Sequence, residues 1–351
     1  MTRKTGIVSD RRYMEHGAGN VHPESPERLA AIYAMLGQPD MADKFTPIPT
    51  RAATVDELAL IHRRSYIESV AGTAGRPFTS LDPDTATTAG SFEAARLAVG
   101  GLLNAIDAVL AGELDNAFAL VRPPGHHAET DRAMGFCLFN NVAIGAMYAI
   151  TQRNLQRVLI VDWDLHHGNG TQHSFYEDNR VLYFSTHQYP YYPGTGALNE
   201  NGRGAGLGYT INVPLRPGAD NARYLEIFRR ILQPVALKFR PELILVSAGF
   251  DIYEQDPLGG MEVTPEGFAR LTRILMDIAD EACQGRLVMT LEGGYHLQGL
   301  TWAVKKVLQE MRDDSRADVA TPPPLSEKGG FREDPLIERL IEQIKPYWPV
   351  F

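Results

Sequence analysis

Five short runs of apolar residues, each followed directly by polar or glycine-rich sequence, predict buried strands. The runs are continuous in β-branched residues and leucine rather than alternating, which is typical of a parallel sheet covered on both faces. They lie at residues 116–121, 157–161, 181–185, 242–247 and 286–291. Residues 5–10 (TGIVSD) and 209–213 (YTINV) are two further candidate strands.

The segments between these runs repeat apolar residues at i, i+3, i+4 and i+7, which predicts helices. They lie at residues 91–110, 141–151, 222–239, 265–282 and 300–311. Strands that alternate with helices of this length form βαβ units with right-handed crossovers. The pattern therefore predicts an α/β fold around a mostly parallel sheet.

We expect one domain over residues 4–312, followed by a C-terminal extension over residues 313–351. Residues 313–330 combine charged residues with the sequence TPPPLSEKGG, which is typical of a linker. Residues 335–344 are amphipathic and lead into KPYWPVF, whose aromatic residues we expect to pack on the domain or on a partner chain. A homo-oligomer is therefore an open alternative.

Composition and charge narrow the class of protein. The 351 residues include 34 Lys and Arg against 43 Asp and Glu, a formal net charge of −9, so direct binding to nucleic acid through a basic face is not expected. No run approaches the ~20 apolar residues of a membrane helix, and the first residues lack the apolar stretch of a signal peptide. Two cysteines, Cys137 and Cys283, favour a reducing compartment, and we expect a cytoplasmic protein.

Polar side chains follow four of the predicted strands, at the point where each strand ends. The sequences that follow are RPPGHH, DWDLHHGNG, AGFD and EGGY, and they carry His126, His127, Asp162, Asp164, His166, Asn169, Asp251 and Tyr295. Each motif alone could be an ordinary turn. Because open α/β sheets bind ligands beyond the carboxyl ends of their strands, the four together predict one functional site.

Three of these residues could hold a catalytic metal ion. Asp164 and His166 lie two residues apart on an extended segment, where side chains repeat every second residue and can face one point. Asp251 adds a third ligand, and two carboxylates with one imidazole leave positions open for water and substrate. Zn²⁺ is the leading candidate, and the oxygen-rich set would also accept Fe²⁺, Mn²⁺ or Co²⁺.

The remaining residues suit proton transfer. His126 and His127 have ordinary pKa values near neutrality and would stand beside the activated water. Asp162 and Asn169 could each hold a ring nitrogen, the Asp making one imidazole more basic and the Asn orienting the other without charge. The turn that carries Tyr295 would bring its hydroxyl to the substrate carbonyl as an oxyanion donor.

Taken together, these motifs resemble a known superfamily. The sequences RPPGHH, GFCLFNN, DWDLHHGNG, PYYPGTG, SAGFD, DPLGG and LEGGY, with GNVHPESPERL at residues 19–29, are similar to the arginase/deacetylase superfamily. Within it they resemble class II-like histone deacetylases and acetylpolyamine amidohydrolases. The resemblance implies a single-domain, three-layer α/β/α fold with about eight strands, and hydrolysis of an acetyl amide to acetate and a free amine.

The resemblance also implies roles for individual residues. It matches Asp164, His166 and Asp251 to zinc ligands. It also matches His126 and His127 to the tandem catalytic histidines, Asp162 and Asn169 to their respective partners, and Tyr295 to the tyrosine that stabilises the transition state. An inner potassium site matches Asp162, Asp164, His166, Ser185 and Thr186, mostly through backbone oxygens, and an outer one matches Phe175, Asp178, Val181 and Tyr209. Gly135, Phe136 and Tyr192 match the walls of an acyl-lysine tunnel, and Leu258 stands where polyamine-selective relatives carry a carboxylate.

The expected function is a zinc-dependent deacetylase acting on acetyl-lysine in proteins or peptides, or on a small acetylated amine. An acetylpolyamine deacetylase stays open because Asp82, Asp84 or Glu254 could supply charge at the rim. A binuclear manganese ureohydrolase would need further Asp and His ligands that these motifs do not supply. A non-catalytic acyl-lysine binding scaffold is the non-enzyme alternative, against which the intact His126, His127 and Tyr295 argue.

Overall fold

The computed structural model describes residues 2–17, 22–320 and 335–351. Eight parallel strands form the central sheet in the order β2-β1-β5-β10-β9-β6-β7-β8, and β3 and β4 form a short antiparallel pair. The strands are β1 (Thr5–Val8), β2 (Thr46–Ile48), β3 (Thr79–Ser80), β4 (Ala86–Thr87), β5 (Asn116–Ala119), β6 (Val158–Asp162), β7 (Val181–Gln188), β8 (Thr210–Leu215), β9 (Leu243–Ala248) and β10 (Leu287–Leu291).

Helices cover both faces of this sheet. They are α1 (Pro26–Leu36), α2 (Val55–Leu58), α3 (Arg64–Ala71), α4 (Ser91–Leu110), α5 (Asn141–Gln152), α6 (Asn169–Phe175), α7 (Asn221–Ile227), α8 (Gln233–Phe239), α9 (Pro265–Cys283), α10 (Leu297–Met311) and α11 (Leu336–Ile344). Helices α4 and α5 pack together against β5, β6 and β9, whereas α9 packs on β9 and β10 and contacts α8 and α10. The sheet is thus the middle of three layers, which confirms the predicted α/β fold.

All of the predicted strands lie in the main sheet. Helices cover both faces of this sheet, so the side chains of its central strands are buried on both sides. Every residue of β6 (VLIVD) and β9 (LILVSA) is buried, as the continuous apolar runs require. The sequence did not reveal β2, whose three residues include Pro47. This strand lies at the edge of the sheet, where a residue without an N–H is tolerated.

The predicted helix over residues 222–239 is interrupted. Its middle, Phe228–Leu232, is a π-helical turn between α7 and α8. Pro234 follows this turn and has no N–H to donate to the preceding turn, which explains why the regular α-helical pattern breaks there. Apolar periodicity does not register such a change, because both halves still bury one face.

The order of strands explains why four motifs meet. The four strands that precede them, β5, β10, β9 and β6, are consecutive neighbours at the centre of the sheet. They are parallel and in register, with Asp162 opposite Ser247 and Thr290 opposite Ala119. The segments that follow these four strands therefore leave the sheet at the same edge, within a few strand spacings of one another.

The C-terminal segment packs on the body of the protein. Helix α11 buries Leu336, Ile337, Leu340 and Ile344. The indole Nε1 of Trp348 donates a hydrogen bond to the carbonyl oxygen of Gly208 at 2.8 Å, and its ring contacts Tyr209 and Phe239. Residues 321–330 of the predicted linker lie outside the described residues, and the domain boundary at residue 312 stays a prediction.

Across the three described ranges, the helices are too short or too polar to span a lipid bilayer. The longest, α4, has 20 residues. Its buried side packs against β5 and α5 rather than facing outward.

Replacing Trp348 by alanine should lower the free energy of unfolding by about 3 kcal/mol, because a buried indole and its hydrogen bond are lost. Urea denaturation of the purified protein measures this change. Trp302 on α10 is 49% exposed, and Trp302→Ala is the matched control, expected to cost less than about 0.5 kcal/mol. Equal costs at the two positions would contradict the importance of the C-terminal contact.

Candidate active site

Two carboxylates and one imidazole converge at the carboxyl edge of the sheet. Asp164 and His166 follow β6, and Asp251 follows β9, the neighbouring strand. The Nδ1 atom of His166 lies 3.2 Å from Asp164 Oδ1 and 3.2 Å from Asp251 Oδ2. All three residues are buried, and their ligand atoms lie within 4.8 Å of one another.

The geometry of this triad fits a divalent metal ion. Ligand atoms at about 2.0–2.1 Å around a tetrahedral centre lie roughly 3.3 Å apart, close to the 3.2 Å separations found here. Asp164 Oδ2 accepts a hydrogen bond from Gly293 N and Asp251 Oδ1 one from Leu165 N, so each carboxylate is anchored by its other oxygen. Among the described residues, the fully buried Asp251 Oδ2 has no hydrogen-bond partner and only His166 Nδ1 close by at 3.2 Å, as expected of a metal ligand.

Charge at the triad also favours a cation. Burial raises the pKa of the Asp251 carboxyl, and the neighbouring Asp164 carboxylate raises it further. Burial lowers the pKa of His166, but the carboxylates of Asp164 and Asp251 outweigh it and raise this pKa to about 9. Two buried carboxylates side by side therefore favour a positive charge between them, supplied by a protonated His166 or by a bound metal ion.

Glycine is needed beside this triad. A Cβ atom at Gly293 would clash with the carboxylates of both Asp164 and Asp251, and one at Gly249 would clash with Asp164. The glycines of SAGFD and LEGGY thus let two strand ends approach the carboxylates closely.

The tandem histidines lie next to the triad and have different partners. His126 Nδ1 lies 3.0 Å from Asp162 Oδ2, and His127 Nδ1 lies 2.8 Å from Asn169 Oδ1. Both rings are buried, with centroids 4.0 Å apart. The structure therefore brings together the pairs that the sequence suggested, and their catalytic roles stay predictions.

Burial and the charges around the two histidines separate their pKa values. Burial lowers the pKa of His126, but the charges of Asp164 and Asp162 outweigh it and raise this pKa to about 10. Burial also lowers the pKa of His127, and the neighbouring charges of His126 and His166 lower it further. The surrounding charges and burial therefore favour the cationic form of His126 and the neutral form of His127.

Tyr295 projects from the turn after β10, and two neighbouring groups fix this turn. Asp256 Oδ2 accepts hydrogen bonds from the backbone N–H groups of Tyr295 and His296 at 2.7 and 3.1 Å. The guanidinium of Arg28 lies 5.1 Å from the centroid of the Tyr295 ring. Burial raises the pKa of the Tyr295 phenol well above its usual value, so the hydroxyl stays protonated.

A buried ion-pair cluster holds the same turn from behind. Glu24 pairs with Arg28 and Arg122, all three fully buried. Arg28 donates to the carbonyl oxygens of Gly294 and Glu292 at 2.7 and 2.5 Å. Glu24 and Arg28 belong to the motif at residues 19–29, of which residues 19–21 lie outside the described residues.

Glu292 is a residue that the sequence analysis missed. Its Oε2 accepts hydrogen bonds from the backbone N–H groups of Gly125 and His126, and its Oε1 accepts one from the hydroxyl of Ser247. Burial raises the pKa of this carboxyl to about 7. Because Glu292 directly follows a predicted strand, the strand-end argument applied to the other motifs could have found it.

A narrow pocket of about 100 Å³ leads to these groups. It is far smaller than the ~300–1,000 Å³ of sites for drug-sized ligands, which suits a thin chain. The lining residues are Asp84, Pro124, His126, His127, Gly135, Phe136, His166, Tyr192, Leu258, Gly293 and Tyr295. All four residues predicted to bind substrate are among them.

The walls of the pocket are aromatic and its rim carries one carboxylate. The Tyr192 ring meets His127 edge-on at 5.1 Å, and the Phe136 ring meets Tyr295 edge-on at 6.0 Å. Of the three acids suggested for the rim, Asp84 lines the pocket, and Asp82 and Glu254 are not among the lining residues. Asp84 Oδ1 already accepts hydrogen bonds from Gly135 N and the Thr85 hydroxyl.

The residues of the predicted potassium sites lie around β6 and β7. Asp162 is paired in register with Ser185, which brings the inner set to two adjacent strand ends. Ser185 Oγ lies 2.9 Å from His187 Nδ1, and Thr186 is fully buried. The outer set, Phe175, Asp178, Val181 and Tyr209, lies between the end of α6 and the start of β7 and β8. Both sites stay predictions.

Comparison with known proteins agrees with this geometry. A family model described as the histone deacetylase domain matches residues 22–311. A probable deacetylase of Archaeoglobus fulgidus is 40% identical over 297 residues, which are 84% of this chain and 82% of that protein. The crystal structure of the HDA15 HD domain is similar with a TM-score of 0.90 and 36% identity, covering 99% of this chain and 96% of that one.

Other relatives are longer than this chain. Histone deacetylase 15 of Arabidopsis thaliana is 40% identical over 92% of this chain, which spans 60% of that protein. Polyamine deacetylase HDAC10 of Danio rerio is 42% identical over 83% of this chain, which spans 44% of that protein. The similarity to these two proteins thus concerns one part of each.

Replacing Asp251 by asparagine should weaken Zn²⁺ binding at least about 100-fold, because one of three ligand oxygens and one negative charge are lost. Competition with a fluorescent chelator measures the affinity. Asp256→Asn is the matched control, since Asp256 binds backbone N–H groups and lies outside the triad. Equal Zn²⁺ affinities for the two variants would rule out Asp251 as a ligand.

Proposed function

The chain belongs to the histone deacetylase family and is a hydrolase of amide bonds, and on that premise we propose that it deacetylates acetyl-lysine-type amides. The products would be acetate and a free amine. The observation that carries this proposal is one small pocket lined by His126, His127 and Tyr295 together with His166, which is one member of a triad that fits a metal ion.

Asp164, His166 and Asp251 would hold the metal ion. Zn²⁺ is the first candidate, with Fe²⁺, Mn²⁺ or Co²⁺ as substitutes, and such an ion would supply Lewis acidity toward the acetyl carbonyl and toward water. The protein's part is to keep both carboxylates ionised and aimed at one point. The backbone N–H groups of Leu165 and Gly293 do this.

The two histidines would divide the proton transfers. His127 is neutral, so its free Nε2 can accept a proton from the attacking water and then deliver it to the leaving amine. Asp162, which pairs with His126, favours the cationic form of that ring, so His126 would stabilise negative charge that develops beside it. Both histidines are buried, and electrostatic effects are stronger in such surroundings than in bulk water.

Tyr295 would stabilise the oxyanion. Its hydroxyl stays protonated because burial raises its pKa, and its backbone is held by Asp256. A donor placed before the reaction begins costs no reorganisation when negative charge forms on the carbonyl oxygen.

The pocket favours an uncharged, thin acyl-amine chain. Phe136 and Tyr192 offer aromatic faces to an aliphatic chain, and Leu258 at the rim brings no charge. Acetylated polyamines are the second candidate, supported by the carboxylate of Asp84 at the pocket and by the similarity to a polyamine deacetylase. Since Asp84 is already hydrogen-bonded to Gly135 and Thr85, we place acetyl-lysine first.

Tyr295→Phe should lower turnover of an acetyl-lysine peptide by ~10²–10³-fold, because one oxyanion donor is lost. Acetate release measures the rate, and atomic absorption should show unchanged metal content. Tyr191→Phe is the matched control, because that hydroxyl donates to the Leu258 carbonyl and lies outside the pocket lining. A fully active Tyr295→Phe enzyme would refute the oxyanion role, and absence of acetate release from any acetylated amine would refute the function.

Leu258→Glu should raise kcat/KM for N-acetylputrescine about tenfold relative to an acetyl-lysine peptide, because a carboxylate at the rim attracts the free amine. Leu258→Gln has a similar shape without the charge and serves as the control. The preference should return toward that of Leu258→Gln at high salt, since charge attraction at an exposed rim is screened. Equal effects of the two substitutions would show that shape rather than charge decides.

A further inference from the structure

Behind the tandem histidines, the carboxylate of Glu129 contacts Asn169, the partner of His127. Glu129 follows RPPGHH by two residues and is 6% exposed. Its Oε1 accepts a hydrogen bond from Asn169 Nδ2 at 2.6 Å, and the same oxygen lies 2.8 Å from His173 Nδ1. Arg132 lies 3.8 Å from it. The proton-transfer scheme above does not use this residue.

The hydrogen-bond partners of Asn169 allow its side-chain amide only one orientation. The nitrogen side faces the Glu129 carboxylate and, at 3.2 Å, the backbone carbonyl oxygen of His127. Both atoms can only accept hydrogen bonds, so the group that faces them must be the NH₂. The amide oxygen must then face His127 Nδ1, at 2.8 Å.

This orientation decides where the proton of His127 resides. An amide oxygen can only accept, so Nδ1 must carry the hydrogen, and the lone pair of the neutral ring lies on Nε2. Nε2 is the nitrogen that Asn169 leaves free, and the ring lines the pocket. If the amide turned over, its NH₂ would face Nδ1, and Nε2 would carry the hydrogen and could not accept a proton.

We propose that Glu129 is a positioning residue that, through Asn169, holds His127 in the tautomer with hydrogen on Nδ1. This inference rests on the proposed function, since it assigns His127 the task of accepting a proton at Nε2. His173 and Arg132 keep the Glu129 side chain in place from the surface side. Burial raises the pKa of Glu129, but His173 and Asn169 outweigh it, so the carboxylate stays an acceptor.

The test uses the metal-free full chain labelled with [¹⁵N]histidine, in which nitrogen chemical shifts report the tautomer of His127. The wild type should show hydrogen on Nδ1 alone. In Glu129→Leu the stronger of the two acceptors for the amide is removed, so the tautomer with hydrogen on Nε2 should rise to about a tenth of the population or more. Glu129→Gln is the matched control, because its amide oxygen still accepts from Asn169, and it should retain the wild-type tautomer.

Kinetics of the metal-loaded enzyme provide the second readout. Glu129→Leu should lower kcat about tenfold while KM stays within about twofold, because Glu129 does not line the pocket. Glu129→Gln should stay within about threefold of the wild type. A Glu129→Leu protein with the wild-type tautomer and kcat, or a Glu129→Gln protein as impaired as Glu129→Leu, would overturn the proposal.

A pair of variants keeps the test decisive if Glu129→Leu does not fold. Asn169→Asp would set two carboxylates against each other and should lower kcat at least about tenfold. Adding Glu129→Gln restores an NH₂ donor between them and should recover most of this loss. A double variant no better than Asn169→Asp would overturn the proposal. Because the tautomer is read without substrate, this result is distinct from a failure to find deacetylation.

Discussion

Two carboxylates buried side by side, Asp164 and Asp251, are the constraint on which the rest of the site depends. Burying one ionised carboxylate is costly, and burying two at neighbouring strand ends adds their repulsion. The structure offsets this with backbone N–H groups from Leu165 and Gly293 and with the imidazole of His166 between the two oxygens. The glycines around them follow from the same constraint, since a side chain at position 293 would displace both carboxylates. A cation bound at this point would complete the balance of charge.

The need to balance the buried negative charge also explains why the pKa values of the two tandem histidines differ. His126, close to Asp162 and Asp164, becomes a cation and contributes to neutralising the acidic edge. Burial and then repulsion by the neighbouring His126 lower the pKa of His127, which is paired with an amide instead of a carboxylate. When a side-chain amide rotates by half a turn, its donor NH₂ and its acceptor oxygen exchange places, whereas the two oxygens of a carboxylate are equivalent. Glu129, on the far side of the Asn169 amide, prevents this exchange. The two histidines therefore differ because of the charges around them, although they are chemically identical neighbours in the chain.

The sequence predicted what depends on local pattern and on the direction of strands. Continuous apolar runs located seven of the eight strands of the main sheet, and the residues after four of them supplied the triad, the histidines and Tyr295. It could not predict β2, which is three residues long, or the π-helical turn before Pro234. Nor could it predict the pairing of Glu24 with Arg122, since these residues are 98 positions apart and the strand that ends just before Arg122 does not indicate which residue will be its partner. Such long-range pairs require the fold itself.

The substrate pocket is built from different parts of the chain than the reactive groups. Asp164, Asp251 and Tyr295 leave the ends of central strands and are fixed by the sheet, whereas Phe136, Tyr192 and Leu258 lie on the loops beyond it. Loops on a rigid scaffold tolerate exchange better than the elements that carry them. Changes at the rim can therefore alter which acylated amine enters without moving the carboxylates or histidines. The loop residues and the reactive groups contact each other at His127, whose ring meets the Tyr192 ring edge-on. The wall of the pocket is therefore in direct contact with the proposed proton acceptor. A change at Tyr192 would therefore act on both the wall of the pocket and the position of the His127 ring, and the Tyr192 hydroxyl is the one polar group on the two aromatic walls formed by Phe136 and Tyr192.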